Sequence, residues 1–146
     1  MRVTIQRVKR AKCITNSKVV SEIKDGYMIL VSFTHTDTLD NVKKMAHKVA
    51  NLRIFNDQDD KMNLSIQDVK GEILSISQFT LYGDAIKGNR PSFVLSMEKT
   101  KANELYLAFN DILNSEYHIP TFGGSFGEHM ELDILCDGPV TINIEL

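Results

Sequence analysis

The stretch Ile73-Leu74-Ser75-Ile76-Ser77-Gln78-Phe79-Thr80-Leu81 combines the apolar pattern of a buried strand with an unusual density of polar side chains. A hydroxyl or an amide that is buried without a partner costs a few kcal/mol. Either the neighbouring strands satisfy these groups, or the end of the strand forms the wall of a site. We expect the second arrangement, and the remainder of the chain is organised around this stretch.

Size and composition predict one domain that covers residues 1–146. Hydrophobic residues make up 42% and charged residues 25% of the chain, as in an ordinary soluble globular protein. There is no apolar run long enough to cross a membrane and no secretory signal, so we expect a cytoplasmic protein. The two cysteines, Cys13 and Cys136, are far apart and do not indicate a disulfide framework.

The ionisable residues limit the classes of function. The four histidines have no metal-ligand spacing, so neither a metal nor another cofactor is expected. The net charge of −2 argues against a broad nucleic-acid-binding surface. Six cations nevertheless precede the first acidic residue, Glu22, and the first five of them are Arg2, Arg7, Lys9, Arg10 and Lys12. They form either a local basic patch for one end of an RNA or a solvated strand face.

Hydrophobic periodicity predicts the elements that surround the opening stretch. A strand begins near Val3 and has a bulge at Arg7-Val8, and a short apolar run from Tyr27 to Phe33 predicts a central strand. Helical spacing starts at Leu39, after a capping Asp37 or Thr38. A second helix is predicted after Ser96, which can act as its cap, with Glu98 in its first turn.

The C-terminal third of the chain completes the predicted fold. A long loop covers residues 82–95, and Gly123 to Gly127 predicts a flexible connection. Two alternating runs, 130–136 and 140–146, predict a terminal hairpin with a tight turn at Gly138-Pro139. The fold class is therefore α/β (α+β). We expect a single compact domain with mixed, largely antiparallel sheets or a barrel-like sheet and two main helices.

The candidate hydroxyls for chemistry are those of Ser75, Ser77 and Thr80. The sequence places no base beside any of them, and there is no GxSxG motif. Assembling a Ser-His-Asp triad would require guessing which histidine points inward. On periodicity alone, a hydrogen-bonded strand end is favoured over a catalytic nucleophile.

Two motifs, Ser77-Gln78-Phe79-Thr80-Leu81 and Gly138-Pro139-Val140-Thr141, resemble the signature motifs of the D-aminoacyl-tRNA deacylases, the D-tyrosyl-tRNA deacylase family. The resemblance is collinear and covers essentially the whole chain. Further matching segments are Ile5-Gln6-Arg7-Val8, Leu52-Arg53-Ile54-Phe55, Lys61-Met62-Asn63-Leu64-Ser65, the Gly88 to Phe93 segment and the Leu105-Tyr106 helix.

The resemblance implies a homodimer that hydrolyses the ester between tRNA and a D-amino acid or glycine. It places two active sites at the dimer interface, where the strand end Ser77–Thr80 of one subunit faces Gly138-Pro139 of the other. The family's Gly-Pro bond is cis, and its carbonyl oxygens point into the pocket. An L side chain would collide with these carbonyls, whereas a D-configured or glycyl α-carbon fits beside them.

The resemblance also implies roles for single residues in the first motif. The backbone amides near Phe79 and Thr80 would stabilise the oxyanion, and Ser77 and Gln78 would position them. An aminoacyl ester is already activated, and the ribose hydroxyl of the substrate can assist the attacking water, so no protein base is needed. A nucleophilic Thr80 is the competing mechanism.

Residues outside the first motif are assigned by the same resemblance. Arg7 would brace the Gly-Pro loop, and Ala102 and Met130 would line the pocket of the terminal adenosine of tRNA. Two positions depart from the family pattern: Cys136 replaces the usual Asn, and Ser125 stands where an Arg is frequent. These departures affect an expected hydrogen bond near the Gly-Pro motif and one charge that would face the tRNA.

Two other classes of function remain open at this stage. The runner-up is a non-catalytic nucleic-acid-binding module that uses the basic N-terminal strand, although a pI near 6.1 speaks against it. The third is a dimeric structural protein whose serine-rich strand pairs across an interface.

Overall fold

The structure, a computed structural model, describes residues 1–146. The elements, in chain order, are β1 (Arg2–Thr15), β2 (Lys18–Ile23), β3 (Gly26–Ser32), α1 (Leu39–Asn51), β4 (Arg53–Asn56), β5 (Met62–Ser65), β6 (Glu72–Ser77), a 3-10 helix (Phe79–Tyr82), α2 (Lys99–Ser115), β7 (Thr121–Gly123) and β8 (Glu131–Glu145). The predicted central strand and first helix are confirmed as β3 and α1.

One mixed sheet contains six of the eight strands. Strand β1 is the strand with the most partners in this sheet, because it pairs antiparallel with β2, β3 and β8. Strand β6 lies parallel to both β3 and β7. Strands β4 and β5 form a separate antiparallel pair. This barrel-like mixed sheet with two main helices confirms the predicted fold class.

The predicted C-terminal hairpin is wrong. Residues Glu131–Glu145 form one strand that runs antiparallel to almost the whole of β1. Between the pairs Val8–Cys136 and Gln6–Thr141 the register shifts, so that β8 bulges where Gly138 and Pro139 lie. Proline lacks an N–H group and is tolerated in sheets at such bulges. The sequence did not indicate this arrangement, because a Gly-Pro pair is equally typical of a turn. The bulge predicted in β1 at Arg7-Val8 is confirmed by the register shifts around Val8.

Two further element boundaries differ from the prediction. Strand β6 ends at Ser77, and residues 79–82 form a 3-10 helix instead of continuing the strand. Helix α2 begins at Lys99, and its cap is Glu98, which accepts hydrogen bonds from the N–H groups of Thr100 and Lys101. The Ser96 hydroxyl instead donates to the carbonyl of Phe79 at 3.0 Å. The predicted flexible connection is shorter than expected, because Gly123 ends β7.

Two buried clusters hold these elements in place. The larger one comprises 21 residues from both helices and the strands they cover, including Ile5, Ile29, Met45 and Phe109. A smaller cluster of 7 residues includes Cys13, Met28 and Leu74. Burial of each aliphatic side chain contributes about 1.5–3 kcal/mol before the entropic cost of folding. No helix of the protein has the length and apolar character needed to cross a membrane.

Candidate active site

A cavity of about 550 Å³ opens at the carboxyl ends of β3 and β6. The two strands are parallel, so their ends reach the same edge of the sheet. The lining residues are Val31, Ser32, Phe33, Ile76, Ser77, Gln78, Phe79, Ser96, Met97, Lys99, Ala102, Phe126, Gly127, Glu128, His129, Met130 and Leu132. The polar end of the opening stretch therefore forms part of a cavity wall.

The first motif meets this cavity in three of its residues. Ser77, Gln78 and Phe79 line it, whereas Thr80 is exposed and does not. The side-chain amide of Gln78 donates a hydrogen bond to the Thr80 hydroxyl. An amide cannot act as a general base at neutral pH, so this contact does not activate Thr80 as a nucleophile.

The backbone at the start of the 3-10 helix offers hydrogen-bond donors. The N–H of Gln78 is bonded to the Val31 carbonyl at 2.8 Å, and the N–H of Leu81 to the Gln78 carbonyl at 3.2 Å. A 3-10 helix bonds residue i to residue i+3, so the N–H groups of Phe79 and Thr80 have no acceptor within the helix. The Phe79 ring is 56% exposed and packs edge-on against Phe93.

Buried contacts fix the strand behind the motif. Ser75 is fully buried, and its carbonyl accepts hydrogen bonds from the Tyr106 hydroxyl at 2.6 Å and from the N–H of Gly124 at 3.0 Å. The Ser75 hydroxyl itself has no partner. The neighbouring elements therefore satisfy the backbone of this strand but not all of its hydroxyls.

Ala102 and Met130, to which the resemblance gave the adenosine pocket, also line the cavity. Phe126, which packs 5.7 Å from the Tyr106 ring, also lines it and was missed. Gly124 brings this wall close to β6, because a Cβ at Gly124 would lie 2.8 Å from Ile76 Cδ1 of that strand and 2.7 Å from the Met130 sulfur. Only the glycine-rich composition of residues 123–127 gave a signal for this close approach.

Arg7 is buried and connects the β8 bulge to β4. Its Nε lies 3.1 Å from the Asp137 carboxylate and donates to the Asp137 carbonyl at 3.2 Å. Its Nη1 donates to the Ile54 carbonyl at 2.7 Å and to Asn56 Oδ1 at 3.2 Å. Arg7 therefore holds the residue that directly precedes Gly138.

The Gly138–Pro139 peptide bond is cis, as the resemblance implies. Gly138 has a φ of +123°, and a Cβ there would lie 2.9 Å from the backbone nitrogen of Val140. Both Gly138 and Pro139 are exposed, and neither lines the cavity of its own chain. The structure thus brings Ser77, Gln78, Phe79, Ala102 and Met130 together but leaves Arg7, Thr80, Gly138 and Pro139 outside this group.

The cations of the basic N-terminal strand, β1, form ion pairs with carboxylates. Each of its five cations lies within 4.0 Å of a carboxylate: Arg2 of Glu145, Arg7 of Asp137, Lys9 of Asp25 and Asp137, Arg10 of Asp133, and Lys12 of Glu22. These carboxylates lie in later strands and turns, far from the cations in sequence. For this reason the N-terminal segment, taken alone, has an excess of positive charge.

Ionisable groups near the cavity do not include an activated nucleophile. Burial raises the pKa of the Cys13 thiol, which keeps it protonated at neutral pH. Burial likewise raises the pKa of the Tyr106 hydroxyl, which serves as a hydrogen-bond donor. No three His, Cys, Asp or Glu side chains converge as a metal site would require. The cavity therefore offers backbone and side-chain amides, hydroxyls and apolar walls, together with the ionisable side chains of Lys99, Glu128 and His129.

Fold and site together define an α+β protein with a cavity at the ends of two parallel strands and without a nucleophile–base pair. Comparison with known proteins narrows this class. The family model for D-Tyr-tRNA(Tyr) deacylase matches residues 4–145, and the chain belongs to this family. The family assignment made from the two motifs is confirmed.

Curated relatives agree with the family model over nearly the full chain. A D-aminoacyl-tRNA deacylase of Fusobacterium nucleatum is 50% identical over 99% of this chain and 95% of its own. A protein of the same name from Staphylococcus saprophyticus is 51% identical with the same coverage.

Solved structures match the fold closely. A structure titled c-Myc DNA Unwinding Element Binding Protein has a TM-score of 0.95 and 36% identity, and the match covers 100% of this chain and 99% of that chain. A probable eukaryotic D-amino acid tRNA deacylase has a TM-score of 0.86 at 18% identity over 99% of this chain and 98% of that chain, which shows the shared fold alone.

Proposed function

We propose that this protein hydrolyses the ester bond of D-aminoacyl-tRNA, and of mischarged glycyl-tRNA, releasing the free amino acid and tRNA. The observation that carries the proposal is the cavity walled by Ser77, Gln78 and Phe79 in a chain that is 50% identical to a D-aminoacyl-tRNA deacylase. Because aminoacyl-tRNAs are formed and used in the cytoplasm, the protein acts there on the 3′ end of its substrate.

The proposed reaction uses water as the nucleophile. Water adds to the ester carbonyl, and the N–H groups of Phe79 and Thr80 stabilise the resulting oxyanion. The bond between the carbonyl carbon and the ribose oxygen then breaks, and the ribose oxygen takes up the proton that the water gives up. The adjacent ribose hydroxyl relays this proton, so the absence of a base beside Thr80 is compatible with catalysis.

Stereochemical selection is assigned to a homodimer. Gly138 and Pro139 are exposed and lie outside the cavity of their own chain, so they are free to complete the cavity of a second copy. Arg7 supports this role because its Nε contacts both the carboxylate and the carbonyl of Asp137. Carbonyl groups at the Gly-Pro motif would exclude an L side chain without contacting the side chain of a D-amino acid.

The test is a comparison of D-tyrosyl-tRNA with L-tyrosyl-tRNA as substrates, followed as ester loss. We expect rapid hydrolysis of the D form and background hydrolysis of the L form. Equal rates for the two forms, or no hydrolysis of either, would contradict the proposal. Light scattering checks the dimer, and a monomer at the assay concentration would contradict the shared site.

A non-catalytic nucleic-acid-binding module is the second candidate. One observation favours it: the 36% identical structure is titled as a DNA-unwinding-element-binding protein. The paired cations of β1 speak against it, because a phosphate backbone would have to displace six carboxylate contacts. Tight, salt-sensitive binding of duplex DNA without any deacylation would favour the module.

A further inference from the structure

Lys99 is the only lysine or arginine that lines the cavity. It is the first residue of α2 and its side chain is exposed. No carboxylate lies within 4.0 Å of its amine, in contrast to the five cations of β1. A cation at a cavity wall without an acidic partner is able to accept an anionic group from a ligand.

The contacts of Gly127 and Glu98 show how the Lys99 amine is placed at the cavity wall. A Cβ built on Gly127 would lie 2.6 Å from Nζ and 2.7 Å from Cε of Lys99, so the end of the lysine side chain packs directly against the Gly127 backbone. Gly127 also has a φ of +75°, which disfavours other residues. The Glu98 carboxylate is bonded to the N–H groups of Thr100 and Lys101 at the start of the helix.

Lys99 also has a defined position relative to the expected adenosine pocket. Lys99 and Ala102 are three residues apart on α2, so they share one face of the helix, and both line the cavity. If the terminal adenosine packs against Ala102 and Met130, its 5′ phosphate is the nearest anionic group of the tRNA. A lysine amine is a compact charge that suits a single phosphate.

We infer that Lys99 binds the phosphate that joins the terminal adenosine of tRNA to the preceding nucleotide. The identity of this ligand rests on the proposed function. The contact binds substrate and takes no part in bond breaking. It therefore lowers KM for substrates that carry the phosphate and leaves kcat unchanged.

The first experiment measures the binding of adenosine and of adenosine 5′-monophosphate by calorimetry or NMR titration. We expect the wild-type protein to bind the monophosphate about tenfold more tightly than adenosine at low salt. Lys99→Met should remove this preference without changing the affinity for adenosine, and Lys99→Arg should largely restore it. Lys44→Met, an exposed lysine of α1 outside the cavity, is the matched control and should behave as wild type.

The second experiment measures hydrolysis of 3′-O-(D-tyrosyl)adenosine with and without a 5′ phosphate. Lys99→Met should raise KM about tenfold for the phosphorylated substrate only. Equal affinity of the wild-type protein for adenosine and its monophosphate, or a preference that survives in Lys99→Met, would overturn the inference. A Lys99-dependent preference without hydrolysis of either ester would instead sustain the phosphate site and refute the proposed function.

Discussion

The guanidinium of Arg7 and the carboxylate of Asp137 lie 3.1 Å apart, although 130 positions separate the two residues in the chain. The same guanidinium bonds to the carbonyl of Ile54, so it connects β4 with the bulge that contains Gly138. We therefore propose that Arg7 positions the Gly-Pro motif.

Replacing Arg7 tests this positioning. Arg7→Met leaves the Ile54 carbonyl without its partner and leaves the half-buried Asp137 carboxylate with Lys9 alone. Loss of hydrogen bonds from a charged group costs about 1.5–3 kcal/mol. We expect a lower free energy of unfolding in urea and reduced hydrolysis of D-tyrosyl-tRNA. Lys9→Met is the control, because exposed Lys9 also approaches Asp137, at 3.7 Å, and should cost at most about 1 kcal/mol. Equal stability of the two variants would contradict the bracing role.

Gly138→Ala tests the backbone of the bulge. Gly138 has a φ of +123°, and a Cβ at this position would contact Val140. Any larger residue is therefore strained, at a cost of about 1–3 kcal/mol. Because misplacement by 1 Å costs about 100-fold in rate, we expect a loss of that order with D-tyrosyl-tRNA. Gly88→Ala is the control: Gly88 has a φ of +93° but no heavy atom within 4 Å of a built Cβ. It should lose stability and keep its activity.

The sequence predicted the local elements of the fold better than their pairing. The continuous apolar run of β3 reflects burial on both faces of the strand, and the helical spacing of α1 reflects burial of one helix face. A local pattern records both. The single long strand β8 depends on β1 as a partner on both sides of its bulge, and a partner more than one hundred residues away leaves no local signal. The hairpin prediction failed for this reason.

The sequence indicated part of the cavity wall. It pointed to Ser77, Gln78 and Phe79 because polar side chains at the end of an apolar strand are unusual, and to Ala102 and Met130 only through the family resemblance. It did not indicate Lys99 and Phe126, since a lysine at a helix start and a phenylalanine near glycines are unremarkable in sequence. Their place in the wall results from the tertiary contacts of α2 with the segment after β7.

The pH dependence of stability should report on Tyr106. Burial raises the pKa of this hydroxyl in the folded protein above the value of about 10 for an unfolded chain. Above pH 10 the unfolded chain therefore binds fewer protons than the folded protein, and stability falls as the pH rises. Buried Tyr82, with its pKa raised to about 12, adds to the same slope.

Tyr106→Phe removes the contribution of this hydroxyl to the pH dependence of stability, and it also removes the hydrogen bond to the Ser75 carbonyl. At pH 8 we expect the variant to be less stable by about 1 kcal/mol. Between pH 10 and 11 its free energy of unfolding should decline less steeply than that of the wild-type protein. Urea unfolding at both pH values measures this difference, and identical slopes would show that Tyr106 does not titrate as its burial implies.

Thr80→Val distinguishes the two catalytic mechanisms. Valine keeps the shape of the side chain and the N–H group but removes the hydroxyl that accepts a hydrogen bond from Gln78. If the backbone stabilises the oxyanion and water attacks, single-turnover hydrolysis of D-tyrosyl-tRNA should stay within about tenfold of the wild-type rate. A loss of several orders of magnitude, together with a covalent aminoacyl-protein intermediate in the wild type, would assign the nucleophile to Thr80.

Ser77→Ala is the companion variant, because Ser77 lines the cavity and Thr80 does not. It should affect hydrolysis more than Thr80→Val if the geometry of the strand end, and not the Thr80 hydroxyl, determines the rate.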